Sequence, residues 1–131
     1  MQKVAIIGGG ASGLACAIEI MKTVKNRDDV KVTVIEKLPR VGKKILVTGN
    51  GRCNLTNMNS ASSGFRGDTD FAYAVLNKYT PESNIEFFNE MGLYTRVEDE
   101  GRVYPLSNQA SSVLDALRFE CDRLGVEVVC D

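Results

Sequence analysis

The sequence predicts an α/β fold, a partial Rossmann-like doubly wound parallel sheet, and three observations carry that prediction. A short apolar run, Val4-Ala5-Ile6-Ile7, stops at consecutive glycines; an amphipathic helical stretch follows at once; and a β-branched run, Val30-Lys31-Val32-Thr33-Val34-Ile35, comes after a polar break. Together they form a β-α-β unit with a right-handed crossover. With 131 residues and a 44% apolar share, the chain has the length and composition of one compact core, so disorder and coiled coil are excluded. The formal charge of -1 lacks the basic excess that a generic nucleic-acid binder needs, and a nucleic-acid partner is not expected.

The first apolar run suits a strand buried on both faces of a parallel sheet. In the helix after it, Leu14, Ala17, Ile18 and Met21 recur at helical spacing, Val24 extends the stripe, and Lys22 and Lys25 lie where the dipole favours cations. Cys16 is placed on the core face. Asn26 to Asp29 reads as a loop. From Lys37 to Gly67 neither period is visible, and Gly42, Gly49, Gly51, Gly64 and Gly67 mark a largely irregular stretch. Two helices are expected next: roughly Asp70 to Tyr79, then Pro81 to Met91 with Thr80 as N-cap and Gly92 as the stop. Leu93 to Val97 and Arg102 to Tyr104 pair as a small hairpin. A helix from Ala110 to Leu124 buries Val113, Leu114, Leu117, Cys121 and Leu124, ends at Gly125, and leads into a strand from Val126 to Cys130. This series is half of a doubly wound fold, so residues 1–131 are expected to be the N-terminal part of a longer domain.

The spacing Gly8-x-Gly10-x-x-Gly13 lies at the strand-to-helix junction. The first glycine permits the tight turn, the second lets a diphosphate approach the backbone, and the third lets helix and strand close together. Free N-H groups at the helix start then face the phosphates, with Ala11 and Ser12 inside the turn. Glu36 ends the second strand 23 residues beyond Gly13, where a carboxylate accepts ribose hydroxyls and disfavours a 2'-phosphate. The pattern specifies a dinucleotide and does not distinguish FAD from NAD.

Lys37, Arg40, Lys43, Lys44, Arg52 and Arg66 fall in a stretch without a single acid. Within it, Gly42 to Asn57 combines fixed positive charge with glycines that expose N-H groups, a composition suited to a diphosphate or an electron-rich ring. The runs GGGASGL, EK-x-x-x-x-GKK, VTGNGRCN-x-TN and GRVYPLSNQASSVLDAL resemble the BaiN/YhiN-type flavoproteins, NAD(P)/FAD-dependent oxidoreductases of the aminoacetone-oxidase or bile-acid-reductase type. That resemblance extends over essentially the whole chain. It implies FAD, with Gly8, Gly10, Ala11, Ser12 and Gly13 on the diphosphate and Glu36 on the adenosine ribose. It further implies that Lys37, Lys44, Thr48, Gly49, Asn50, Gly51, Arg52 and Asn54 line the rest of the cofactor, and that NAD(P)H supplies hydride for a small-molecule acceptor. The alternatives are an NAD-binding dehydrogenase domain and a non-catalytic nucleotide- or RNA-binding module.

The chain has no histidine, which removes His-based nucleophilic and metal chemistry. Cys16, Cys53, Cys121 and Cys130 form no C-x-x-C pair, so a reducing, cytoplasmic setting and no metal site are expected. Cys53 has cationic neighbours in sequence that favour a thiolate, although an inert loop thiol is the simpler reading. Tyr104 reads as a structural tyrosine, Arg102 to Pro105 as hairpin or substrate-facing, and no catalytic acid is assigned. The glycine-broken opening reads as mature protein rather than a signal or membrane segment.

Overall fold

Residues 1–60 and 65–131 are described by the structure, a computed structural model. Strand β1 (Gln2–Ile7) leads through the glycine turn into α1 (Ala11–Thr23), and a short 3-10 turn at Arg27–Asp29 precedes β2 (Val30–Glu36). The first two strands pair in parallel from Gln2 opposite Val30 to Ile7 opposite Ile35. A strand from the far end of the chain, β6 (Glu127–Cys130), adds in parallel to the other side of β2, so β2 is central and the order is β1-β2-β6. This is the Rossmann-like parallel sheet that the sequence predicts.

The helical stripe on α1 does the packing expected of it: Leu14, Ala17, Ile18 and Met21 are buried. They join Val32 and Val34 of β2 and, from α4 (Ala110–Arg123), Val113, Leu114, Leu117 and Cys121 in one core. Leu124 closes that face, and Gly125, at φ +74, ends the helix.

Two expectations are corrected here. First, β1 is not buried on both faces. Val4 and Ile6 pack against the core, whereas Ala5 is exposed and Ile7 is 80% exposed. The core face of the sheet is the one that α1 and α4 cover; on the other, Ile7, Ile35 and Val129 form one exposed apolar row across the three strands. Second, Cys16 is exposed rather than in the core, because the buried stripe of α1 turns past it.

The middle of the chain builds a smaller antiparallel sheet. The expected hairpin is present as β4 (Thr95–Val97) and β5 (Arg102–Pro105), and the irregular stretch contributes β3 (Thr56–Asn57), giving the order β3-β5-β4. No periodicity marks a two-residue strand, which is why the sequence gives no sign of it. Gly64 of that stretch lies outside the described residues.

Helix α2 (Thr69–Leu76) is shorter than expected; Asp68 caps it by accepting the Phe71 N-H at 3.0 Å, and none of its residues is buried. Helix α3 (Pro81–Glu90) has its hydroxyl cap, Thr80 accepting from the Ser83 N-H at 3.3 Å, and its stop at Gly92, φ +79. Among the described residues, no helix is long and apolar enough to cross a membrane.

Candidate functional site

The glycines between β1 and α1 do different jobs. Gly8 turns the chain at φ +102 while its N-H donates to the Ile35 carbonyl at 2.8 Å. A Cβ on Gly13 would collide with the Gly8 carbonyl oxygen, so this glycine is what allows α1 to sit so close to β1. Gly9 is barred from a side chain by Val41. A Cβ on Gly10, in contrast, meets nothing within 4 Å, and that position opens onto free space. Gly10 caps α1 with no side-chain partner, so the first-turn amides lack both helical acceptors and a capping oxygen. A compact anion fits this cradle electrostatically and sterically.

Glu36 is aimed at the same turn. Its Oε2 accepts the Gly9 N-H at 2.8 Å and its Oε1 accepts the Leu38 N-H at 2.9 Å. The Gly9 amide, then the Leu38 amide and the nearby Lys37 charge, hold its carboxyl below the usual carboxylate range against an opposing desolvation. Each oxygen keeps further acceptor capacity for a ligand hydroxyl.

The basic loop is stitched over the turn. The Gly42 N-H donates to the Gly9 carbonyl at 2.8 Å, Val41 is buried, and Gly42 holds φ +71 against Leu114. Lys37, Arg40, Lys43 and Lys44 are exposed, and among the described residues none of them is in an ion pair.

From the turn a cleft of about 1310 Å³ runs between α1 and α3. Gly10, Ala11 and Ser12 line one end, Lys44, Thr48 and Asn54 come from the loop, and Phe87 and Phe88 supply an apolar wall. Of the remaining candidates, Gly8, Gly13 and Glu36 build the turn and its flank, and Lys37 follows Glu36 at the end of β2. Gly49, Asn50 and Gly51 follow a short 3-10 turn that starts at Ile45, have left-handed backbone, and do not line the cleft. The Asn54 side chain, with its amide nitrogen facing β3 and β5, donates to the Thr56 and Val103 carbonyls at 2.8 and 3.1 Å.

Arg52 faces the antiparallel sheet. Its Nη2 donates to Glu98 Oε1 and, at 2.7 Å, to Asn108 Oδ1, which also accepts from Nε at 2.9 Å. The guanidinium lies 3.9 Å from the centroid of the Tyr104 ring. The hydrogen bond from Arg52 is the main reason that the Glu98 carboxyl lies below the usual range, with Arg96 adding to it. Glu98 and Asn108 are residues that sequence reasoning missed, since no spacing rule connects them to position 52.

Cys53 also lines the cleft, but burial pushes its thiol up, opposed by a hydrogen bond with Thr48. Burial and a raised thiol favour the inert reading of Cys53. Tyr104 is buried beneath Arg52 as a structural ring. Among the described residues no cluster of Cys, Asp and Glu could hold a metal ion.

Comparison with known proteins gives a consistent family and a shared fold. The chain is 43% identical over 129 residues to a 3-dehydro-bile acid delta(4,6)-reductase of Clostridium scindens, a match covering 98% of this chain and 31% of that protein. It is 30% identical over 125 residues to a ribosomal RNA dihydrouridine synthase of Haemophilus influenzae, covering 95% and 30% respectively. The chain thus spans about a third of the length of these curated relatives. In fold it resembles the crystal structure of Thermovibrio ammonificans THI4, with a TM-score of 0.61 at 16% identity over 98% of this chain and 38% of that one. The HI0933-like protein Rossmann domain matches residues 2–131, and the chain belongs to that family.

Proposed function

We propose that this chain is the FAD-binding part of a flavin-dependent oxidoreductase. FAD, when bound, supplies two-electron chemistry, taking hydride equivalents from NAD(P)H and delivering them to a small-molecule acceptor. The observation that carries the reading is the bare Gly10 position beside a carboxylate pre-oriented by the Gly9 amide. In it, the first-turn amides of α1 hold the diphosphate, the ionised Glu36 accepts the ribose hydroxyls, and Lys44 offsets phosphate charge from the cleft wall. The dipole of such an exposed helix end contributes only ~0.3–1 kcal/mol to an anion and two amide hydrogen bonds to phosphate about 3–6 kcal/mol, whereas nanomolar retention takes ~12 kcal/mol. Most affinity therefore comes from the remainder of the cofactor lying along the cleft.

The acceptor is proposed to be a small molecule because the most similar of the relatives above carries such a name, while the -1 net charge gives no general attraction for a polyanion. The domain is proposed to continue in a longer protein. Its support is the edge of β1, unpaired among the described residues, and the exposed row of Ile7, Ile35 and Val129, a surface that doubly wound folds cover with further strands and helices.

The test is a titration of the 131-residue chain and of the full-length protein with FAD and with ADP, followed by flavin fluorescence and calorimetry. Saturable FAD binding by the full-length protein, with weaker binding by the chain alone, is the expected result. A full-length protein that binds NAD but no flavin would replace the reading with that of a nicotinamide-dependent dehydrogenase.

A further inference from the structure

Between Thr48 and Asn54 the backbone is left-handed at four positions. Gly49, Asn50, Gly51 and Cys53 have φ of +53, +56, +80 and +60; glycine and asparagine adopt such angles readily, whereas Cys53 does not. Left-handed backbone at a residue such as Cys53 persists only where the surroundings over-determine it. Two local hydrogen bonds contribute, from the Arg52 N-H to the Gly49 carbonyl at 3.1 Å and from the Cys53 N-H to the Thr48 carbonyl at 3.0 Å. The other restraints come from the antiparallel sheet: Leu55 N-H donates to Val103 at 2.9 Å, and Arg52 is gripped by Glu98 and Asn108 above the Tyr104 ring. Tyr104 also crowds the loop from below, since a Cβ on Gly49 would lie 3.2 Å from its ring.

We propose that Glu98 is a positioning residue: by gripping the Arg52 guanidinium, with Asn108 sharing the fork, it fixes the Thr48–Asn54 wall of the cleft against which the flavin-side half of the dinucleotide lies. The proposal rests on the FAD reading given above and deepens it. It accounts for an arginine in a cofactor-facing loop that itself points away from the cleft. The fork matters because arginine presents several donors in one plane and stacks on an aromatic face, whereas lysine offers a point charge. Loosening the wall affects only a ligand long enough to reach it. ADP ends at the phosphate turn, beside Gly10 and Glu36, and does not reach that wall.

The experiment titrates the full-length protein with FAD and separately with ADP, in the unaltered form and in Glu98→Gln, Arg52→Lys and Arg102→Gln. The last removes an exposed ion pair to Glu100 and serves as a control. Glu98→Gln and Arg52→Lys are expected to weaken FAD by about tenfold, the cost of leaving one left-handed residue unsupported, with ADP affinity unchanged and the control like the unaltered protein. Should Arg52→Lys fail to fold, Asn108→Gly, which removes the acceptor of two Arg52 hydrogen bonds and tolerates the φ of +58 at this position, is expected to show the same selective loss. Equal losses for FAD and ADP, or no loss for either, would overturn the positioning role and leave the FAD reading standing. If the unaltered protein binds ADP but not FAD, the FAD reading fails and this proposal with it; if it binds neither, the dinucleotide site fails as well.

Discussion

Gly10→Val separates binding from folding at a single position. Gly10 lies at φ -80 and ψ -173, an extended conformation that valine adopts freely, and its Cβ direction is open. Removing a glycine restricts the unfolded chain, worth about 0.4–1 kcal/mol of stability, while a β-branched residue is a poorer N-cap than glycine by about 0.5–1 kcal/mol. The two nearly cancel, so the melting temperature is expected to move by less than about 3 °C. The isopropyl group nevertheless fills the space in front of the first-turn amides. Losing two charge-assisted phosphate hydrogen bonds at about 1.5–3 kcal/mol each removes about 3–6 kcal/mol of affinity, a hundredfold or more. Gly13→Ala is the counterpart. Its methyl meets a backbone carbonyl that cannot swing aside, so overpacking is expected to cost about 1–3 kcal/mol of stability. Thermal melts combined with FAD and ADP titrations of the full-length protein read both effects. A Gly10→Val protein that binds both ligands within about threefold of the unaltered form would show that no diphosphate rests on this turn.

Three other outcomes are expected. Because the Glu36 carboxyl is held below its unfolded range, the stability it contributes is complete above the ordinary carboxylate range and is lost as pH falls through its lowered value; melts across acidic pH should show this loss, and Glu36→Gln should flatten it. Thiol labelling should modify exposed Cys16 quickly and leave Cys53 and Cys121 protected, since burial pushes both thiols up, Cys121 to about 11; fast labelling of Cys53 in the folded protein would contradict the inert reading. Ile7→Ser should change the stability of the 131-residue chain by less than about 0.5 kcal/mol, because the side chain is exposed there; in the full-length protein the same change should lower the denaturation midpoint, and an equal response in both would argue against a covered sheet face.

Much of the fold was legible because it is carried by local rules. The α1 stripe, the Thr80 cap, the Gly92 and Gly125 stops and the β-branched β2 each announce themselves within a few residues, and each is found where its chemistry puts it. What failed to show depends on distant partners. An apolar run of four residues reads the same whether one face of its sheet or both are covered, so β1 was misjudged. Position 16 is apolar by residue type, but the arc of α1 that faces β2 and α4 excludes it. The turn around Gly10 and Glu36 could be read from spacing, since strand, turn and helix geometry fix where a carboxylate at the end of β2 points. The Arg52 grip could not, because it joins residues 46 and 56 positions apart through sheet pairings that have no sequence signature.

The central place of β2 also sets an order of events during synthesis. Its pairing with β1 closes a loop of under thirty residues, whereas Thr33 meets Glu127 across 94 positions. The longer closure costs about 1 kcal/mol more in chain entropy, and it has to wait until those residues have left the ribosome. Until then the opening β-α-β segment has the apolar side of its helix uncapped by α4, an interval in which a chaperone is the natural shield.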